Sequence, residues 1–203
     1  MSLPLIIACI GHIICGITDC LLAYTPEGRF DMAKDTKDSE KMKRLFDKMP
    51  LKQIEISMLL GVLALFMASF GYISLSRTAE GYSKAAGVIM YISGLFFIVP
   101  ITAHHVFCGA VEWFFIKLGR TEQALETVLT FFKRTAAAAI AYVGLLVFSV
   151  TLLVLIISGK AGLPIWACCF NTLPIFIILS PTKLPAKGNI ANALMFLGLS
   201  FLV

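Results

Sequence analysis

Five side chains stand out as able to do chemistry: His12, Asp19, His104, His105 and Glu112. Each falls in a stretch otherwise made of apolar residues. An ionisable group there costs about 2.5–3.5 kcal/mol to insert and is a functional candidate by default. His12 and Asp19 lie two helical turns apart, so they share a face, with Cys15 and Gly16 between them. After Pro100 the chain reads Ile-Thr-Ala-His-His-Val-Phe-Cys-Gly-Ala-Val-Glu-Trp. On a helix this sets His104, Cys108 and Glu112 along one stripe at i, i+4 and i+8, with His105 beside it.

Three chemistries fit these types. A divalent metal ion could take His12, His104 or His105, with Asp19 or Glu112 as oxygen ligand, and activate water against a lipid-like substrate. The histidine and carboxylate pairs could instead relay protons for a transported solute. A histidine from each of two helices could also hold one haem. No HExxH or HxxxH spacing singles out one of the three. Against all of them stands a purely structural role, in which His12 pairs with Asp19 or Glu112 to satisfy buried polar groups and hold helix register. Glu112 beside Trp113, with Lys117 one turn on, also fits an interfacial belt, and Glu55 reads the same way.

Three further residues read as ligand contacts. Arg29 follows the turn Tyr24-Thr-Pro-Glu-Gly28, where a guanidinium could grip a phosphate or carboxylate bidentately. Asn171 sits in the middle of the fifth apolar segment and Asn192 in the sixth. With the histidines and carboxylates they predict a polar pocket inside the apolar bundle, open toward the cytoplasm.

Composition dictates what must position these groups. Of 203 residues, 59% are hydrophobic and 14% charged, and the mean hydropathy is +0.89. A soluble domain carries roughly 25% charged residues. The charge deficit excludes soluble, disordered and collagen-like classes and implies an integral membrane protein. The net charge of +5 does not point to nucleic acid, because the basic residues cluster in loops between apolar segments. Six cysteines without a CxxC pair argue against a disulfide framework or zinc knuckle.

A crossing needs about 20 apolar residues for a core of roughly 30 Å. Six segments qualify, at 3–24, 54–75, 85–116, 136–158, 163–180 and 189–203, the last being short. The expected fold is a single all-α domain over 1–203: a polytopic bundle of six spans, the third kinked at Pro100. The first segment has no basic n-region and carries His12 and Asp19, so it reads as a retained helix rather than a signal peptide. The odd loops (25–53, 117–135 and 181–188, with flanking residues) hold fourteen basic residues against three in the even ones. That asymmetry predicts odd loops in the cytoplasm and both termini outside. Met42, Leu45, Phe46 and Met49 predict a short amphipathic helix on the membrane surface, and Leu125, Val128, Leu129 and Phe132 a second, with Thr121 as N-cap. Gly11, Gly16, Gly87, Gly94 and the run Ala136–Ala139 offer flat patches for close helix contact.

The exit Asp19-Cys-Leu-Leu-Ala-Tyr-Thr-Pro-Glu-Gly28, with Gly16 before it, the His-bearing third segment and the Asn-bearing last helix resemble small six-helix bacterial membrane proteins of unknown function. The resemblance covers most of the chain. It implies a bacterial cell-membrane setting and no particular activity.

The leading expectation is a membrane-embedded enzyme that binds a small or lipid-like ligand, with or without a divalent metal ion. His12, Asp19, His104, His105 and Glu112 would be its working groups. One alternative is a small proton-coupled transporter, homo-oligomeric, using Asp19 and Glu112. Another is a structural or partner protein in which the buried polar residues serve only helix packing; membrane lipids are expected partners under every reading.

Overall fold

Four of the six apolar segments fold into helices long and apolar enough to cross a membrane. The computed structural model describes residues 1–135 and 137–203; Ala136, which opens the fourth predicted span and the alanine run, lies outside the described residues. Helix α1 is Leu3–Ala23, α4 is Leu51–Tyr82, α5 is Lys84–Lys117 and α7 is Ala137–Ile157. Their outer faces are lined by Leu59, Phe66, Ile92, Val99 and Val154, all exposed. So large an apolar surface is foreign to a soluble monomer and native to lipid. The chain is a membrane protein.

Helices α4 and α5, of 32 and 34 residues, run about 50 Å each at 1.5 Å per residue, well beyond the roughly 30 Å lipid core. Ser83 alone joins them, ending α4 and capping α5 through its hydroxyl to the Ala86 N–H. Helix α5 continues unbroken through Pro100. The proline removes only the donor that the Phe96 carbonyl would have used.

The last two expected spans depart from the sequence reading. Residues 163–180 do not make one helix. A 3-10 turn, Ile165–Phe170, is followed by a short helix α8, Thr172–Leu179, and Asn171 interrupts them in extended conformation. Helix α9 is Lys187–Ser200. It runs antiparallel to α1, from Gly16 at its start to the Ser2 N–H, which donates to the Ser200 carbonyl at 2.9 Å.

Small residues set the helix spacing. A Cβ on Gly11 would come within 2.5 Å of the Ala64 carbonyl oxygen, so α1 lies directly on the α4 backbone. A Cβ on Gly144 would press on the backbone at Ser93 and Phe97, which joins α7 to α5 in the same way. The alanine run predicted for that role leaves Ala137 to Ala139 partly exposed; the contact falls about two turns later.

The expected surface helices form at the loop-rich end. Helix α2 is Met32–Asp35, α3 is Ser39–Phe46 and α6 is Glu122–Arg134, capped by the Thr121 hydroxyl on the Ala124 N–H. Met42, Leu45 and Phe46 turn inward against Phe30, Phe115, Leu125 and Val128, a second core separate from the one between the long helices. Arg120, between α5 and α6, ties that turn to the end of α3 by donating to the Phe46 and Asp47 carbonyls, each at 3.0 Å.

Candidate functional site

Asp19 is the junction of the polar groups. It sits one turn below Cys15 on α1, half-buried, and receives two hydrogen bonds from other helices. The Asn189 amide of α9 donates to its Oδ2 at 2.8 Å. His105 of α5 stands with Nδ1 3.0 Å from Oδ1. The other ring nitrogen of His105, Nε2, donates to the Ser57 carbonyl of α4 at 3.0 Å. A carbonyl can only accept, so Nε2 carries a proton and the proton between Nδ1 and Asp19 is the one shared by the pair.

The chain of bonds extends behind Asn189. His12 Nδ1 lies 2.8 Å from the Asn189 Oδ1, and His12 Nε2 lies 3.4 Å from the Tyr72 hydroxyl. With the amide nitrogen spent on Asp19, Asn189 accepts from His12, and Tyr72 closes the far end. The donors from Tyr72 through His12 and Asn189 all point toward the Asp19 carboxylate. His12 is itself 1% exposed and stacked on Phe196. Four helices therefore converge on one carboxylate.

The local sequence explains why the groups meet. Ser57 and Gly61 lie on the α4 face that crosses α5, and a Cβ at Gly61 would overlap the His105 ring. Only glycine lets the imidazole lie across α4 and reach Ser57. The Ser57 hydroxyl in turn donates to the Thr18 carbonyl at 2.8 Å, next to Asp19.

A cavity of about 480 Å³ opens on this junction. Asp19, His104, His105, Cys15, Cys108, Asn189 and Asn192 line it, with Leu65, Phe97, Ile101 and Leu145 forming its apolar part and Arg29, Asp31 and Lys187 its mouth. The tight exit after α1 is a two-stranded hairpin pairing Tyr24–Thr25 with Gly28–Arg29. Gly28, at φ 136°, makes the turn that glycine permits and returns Arg29 to the mouth. Arg29 donates to the Lys183 carbonyl and Lys187 to the Ser180 carbonyl. Among the described residues neither cation forms a salt bridge.

Of the groups singled out in the sequence, Asp19, His104, His105, Arg29 and Asn192 all border the cavity. His12 reaches it only through Asn189. His104 makes a 3.6 Å contact with the Cys108 thiol. Asn171 does something else: its side chain caps α8 through the Leu173 N–H and ties it to the Ser149 carbonyl of α7. Glu112 is 2% exposed, does not border the cavity, and among the described residues its Oε2 has no hydrogen-bond partner. Sequence reasoning left Cys15, Ser57, Gly61 and Tyr72 out of the site. The recurrence of small residues at Ser57, Gly61, Ala64 and Ala68 is the signal that marks the α4 face.

Comparison with known proteins follows from the whole chain. A profile described as Family of unknown function (DUF6796) matches residues 1–201. The chain belongs to this family. No curated protein and no solved structure matches it. Family membership thus agrees with the resemblance read from the sequence and leaves the chemistry to be argued from the cavity.

Proposed function

We propose that this protein binds a small or lipid-like ligand carrying an anionic group in the cavity, with the Asp19–His105 pair as the acid–base group of a membrane-embedded enzyme. The observation that carries the reading is the polarity gradient of the cavity. Two cations stand at the mouth with one carboxylate, Asp31, a hydrogen-bonded carboxylate–imidazole pair lies in the middle, and apolar walls line the inner end. An amphiphile matches that order, with its anionic part at Arg29 and Lys187. A second, apolar groove runs along the outside of α1 and α9 and shares Leu184, Pro185 and Asn189 with the cavity wall, which favours a ligand arriving from the lipid side.

The setting belongs to the same proposal. The excess of basic residues in the odd loops favours a cytoplasmic cavity mouth and both termini outside, in a cell membrane. The 3-10 turn with α8 spans roughly 24 Å, and α9 about 21 Å. Those lengths favour two thin, partly broken crossings that complete six. The transporter alternative asks Glu112 to share a proton path with Asp19, and its position off the cavity weighs against that.

Native mass spectrometry and lipid extraction of the detergent-purified protein test the reading. A co-purifying anionic amphiphile, retained at least tenfold less by the Arg29→Gln, Lys187→Gln double variant, supports it. Equal retention by a folded double variant, or no retained amphiphile in either protein, rejects it.

A further inference from the structure

Cys15, Asp19 and His105 bring one thiol, one carboxylate oxygen and one imidazole nitrogen within 4.8 Å of one another on the cavity wall. Tetrahedral zinc, with bonds of about 2.0–2.3 Å, separates its ligand atoms by roughly 3.3–3.6 Å. Side-chain rotation of an ångström or so closes the set. Cys15 and Asp19 are held at i and i+4 on one helix, and His105 is pinned from the other side by the Ser57 carbonyl.

The groups around these three complete the argument. A metal-bound histidine almost always donates its second ring N–H to a carbonyl or carboxylate, and a ligating carboxylate is itself hydrogen-bonded. Both conditions are met: His105 Nε2 donates to Ser57, leaving Nδ1 to face the set, and Asn189 donates to the free oxygen of Asp19. The charge also balances. A divalent ion with one thiolate, one carboxylate and one neutral imidazole is net neutral, which is the state a low-dielectric interior favours. On binding, the Cys15 thiol proton and the proton shared by Asp19 and His105 leave to solvent.

We propose that Cys15, Asp19 and His105 form a three-ligand site for a borderline-soft divalent metal ion of the zinc class, with its fourth position open to the cavity. A mixed sulfur, nitrogen and oxygen set with one open position is the ligand pattern of a catalytic rather than a structural zinc. It rests on the cavity being the ligand site proposed above; with the ion bound, Asp19 and His105 act as its ligands instead of as an acid–base pair, and the ion supplies that site with an electrophile.

Cobalt(II) tests this, because a tetrahedral thiolate site gives visible d–d bands and a sulfur-to-cobalt charge-transfer band. The metal-stripped full chain in detergent is titrated with cobalt and, separately, zinc. One equivalent with both band types is expected. Cys15→Ser should abolish the charge-transfer band, Cys108→Ser should leave it intact, and Asn189→Leu should weaken affinity about 10- to 100-fold. Absence of the bands in the wild type, or a charge-transfer band that survives Cys15→Ser, overturns the site. Should His105→Ala not fold, Cys15→Ser, which changes one atom, still decides. Amphiphile retention without cobalt binding would end the metal proposal alone. Cobalt binding without retained amphiphile would end the ligand reading and keep the metal.

Discussion

The His105 ring lies against Gly61, in the space that any side chain at that position would fill. That contact joins α4 to α5 at the point where the imidazole must pass to reach both Ser57 and Asp19. Gly61→Ala should therefore displace the ring without removing any polar atom. Overpacking of this kind costs about 1–3 kcal/mol, read as a lowered midpoint in thermal unfolding in detergent. Ligand retention should fall with it. An alanine variant with unchanged melting and retention would show that the ring is not held there.

Asn189 links His12 to Asp19, since its amide serves both. Asn189→Leu leaves a buried imidazole N–H and a carboxylate oxygen each short of a partner, at about 1–3 kcal/mol per group. Asn189→Asp should be worse than leucine, because it sets a second carboxylate against Asp19. Denaturant or thermal melts of the two variants side by side check the order.

Glu112 offers the opposite case. Its carboxyl is buried, and among the described residues Oε2 has no hydrogen-bond partner. Replacement by a side chain of similar shape without the polar group, Glu112→Met, should raise stability by about 1 kcal/mol or leave it unchanged. It should not alter ligand retention or cobalt spectra. A strong loss of either would return Glu112 to the working groups.

Outside the spans, Asp35 carries a pH dependence. Burial pushes its carboxyl upward, but the Lys41 ammonium at 2.6 Å and the Asp31 N–H at 2.8 Å outweigh it and hold it below the usual carboxylate range. A depressed folded-state value contributes stability above the unfolded pKa of about 4 and loses it as pH falls through the folded value. Lys41 is 42% exposed at its side chain, so solvent screens the pair and about 1 kcal/mol is expected from it. The docking of the α2–α3 segment, followed by amide exchange, should weaken below pH 4, and Lys41→Met should weaken it at neutral pH.

Much of this was legible in the sequence, for physical reasons that differ by element. Apolar length revealed α1, α4, α5 and α7, because a lipid core demands it regardless of context. Periodicity revealed α3 and α6, whose inward faces are the predicted ones. The break at Asn171 was not legible: its side chain caps a helix only because Ser149, 22 residues earlier, fixes its other end. The polar candidates were found by type, yet their partners were not. His12 meets Asn189 across 177 residues and His105 meets Asp19 across 86, and no local pattern encodes such pairings.

The pairing of α1 with α9 also has a consequence for biogenesis. Asp19 emerges from the ribosome 170 residues before Asn189, an interval of roughly 10–30 s at ordinary elongation rates. Throughout that time the first helix carries an acid and an imidazole without their eventual amide, in or beside the insertion machinery. The last helix supplies the amide that satisfies both groups, so the polar junction is complete only once that helix has docked.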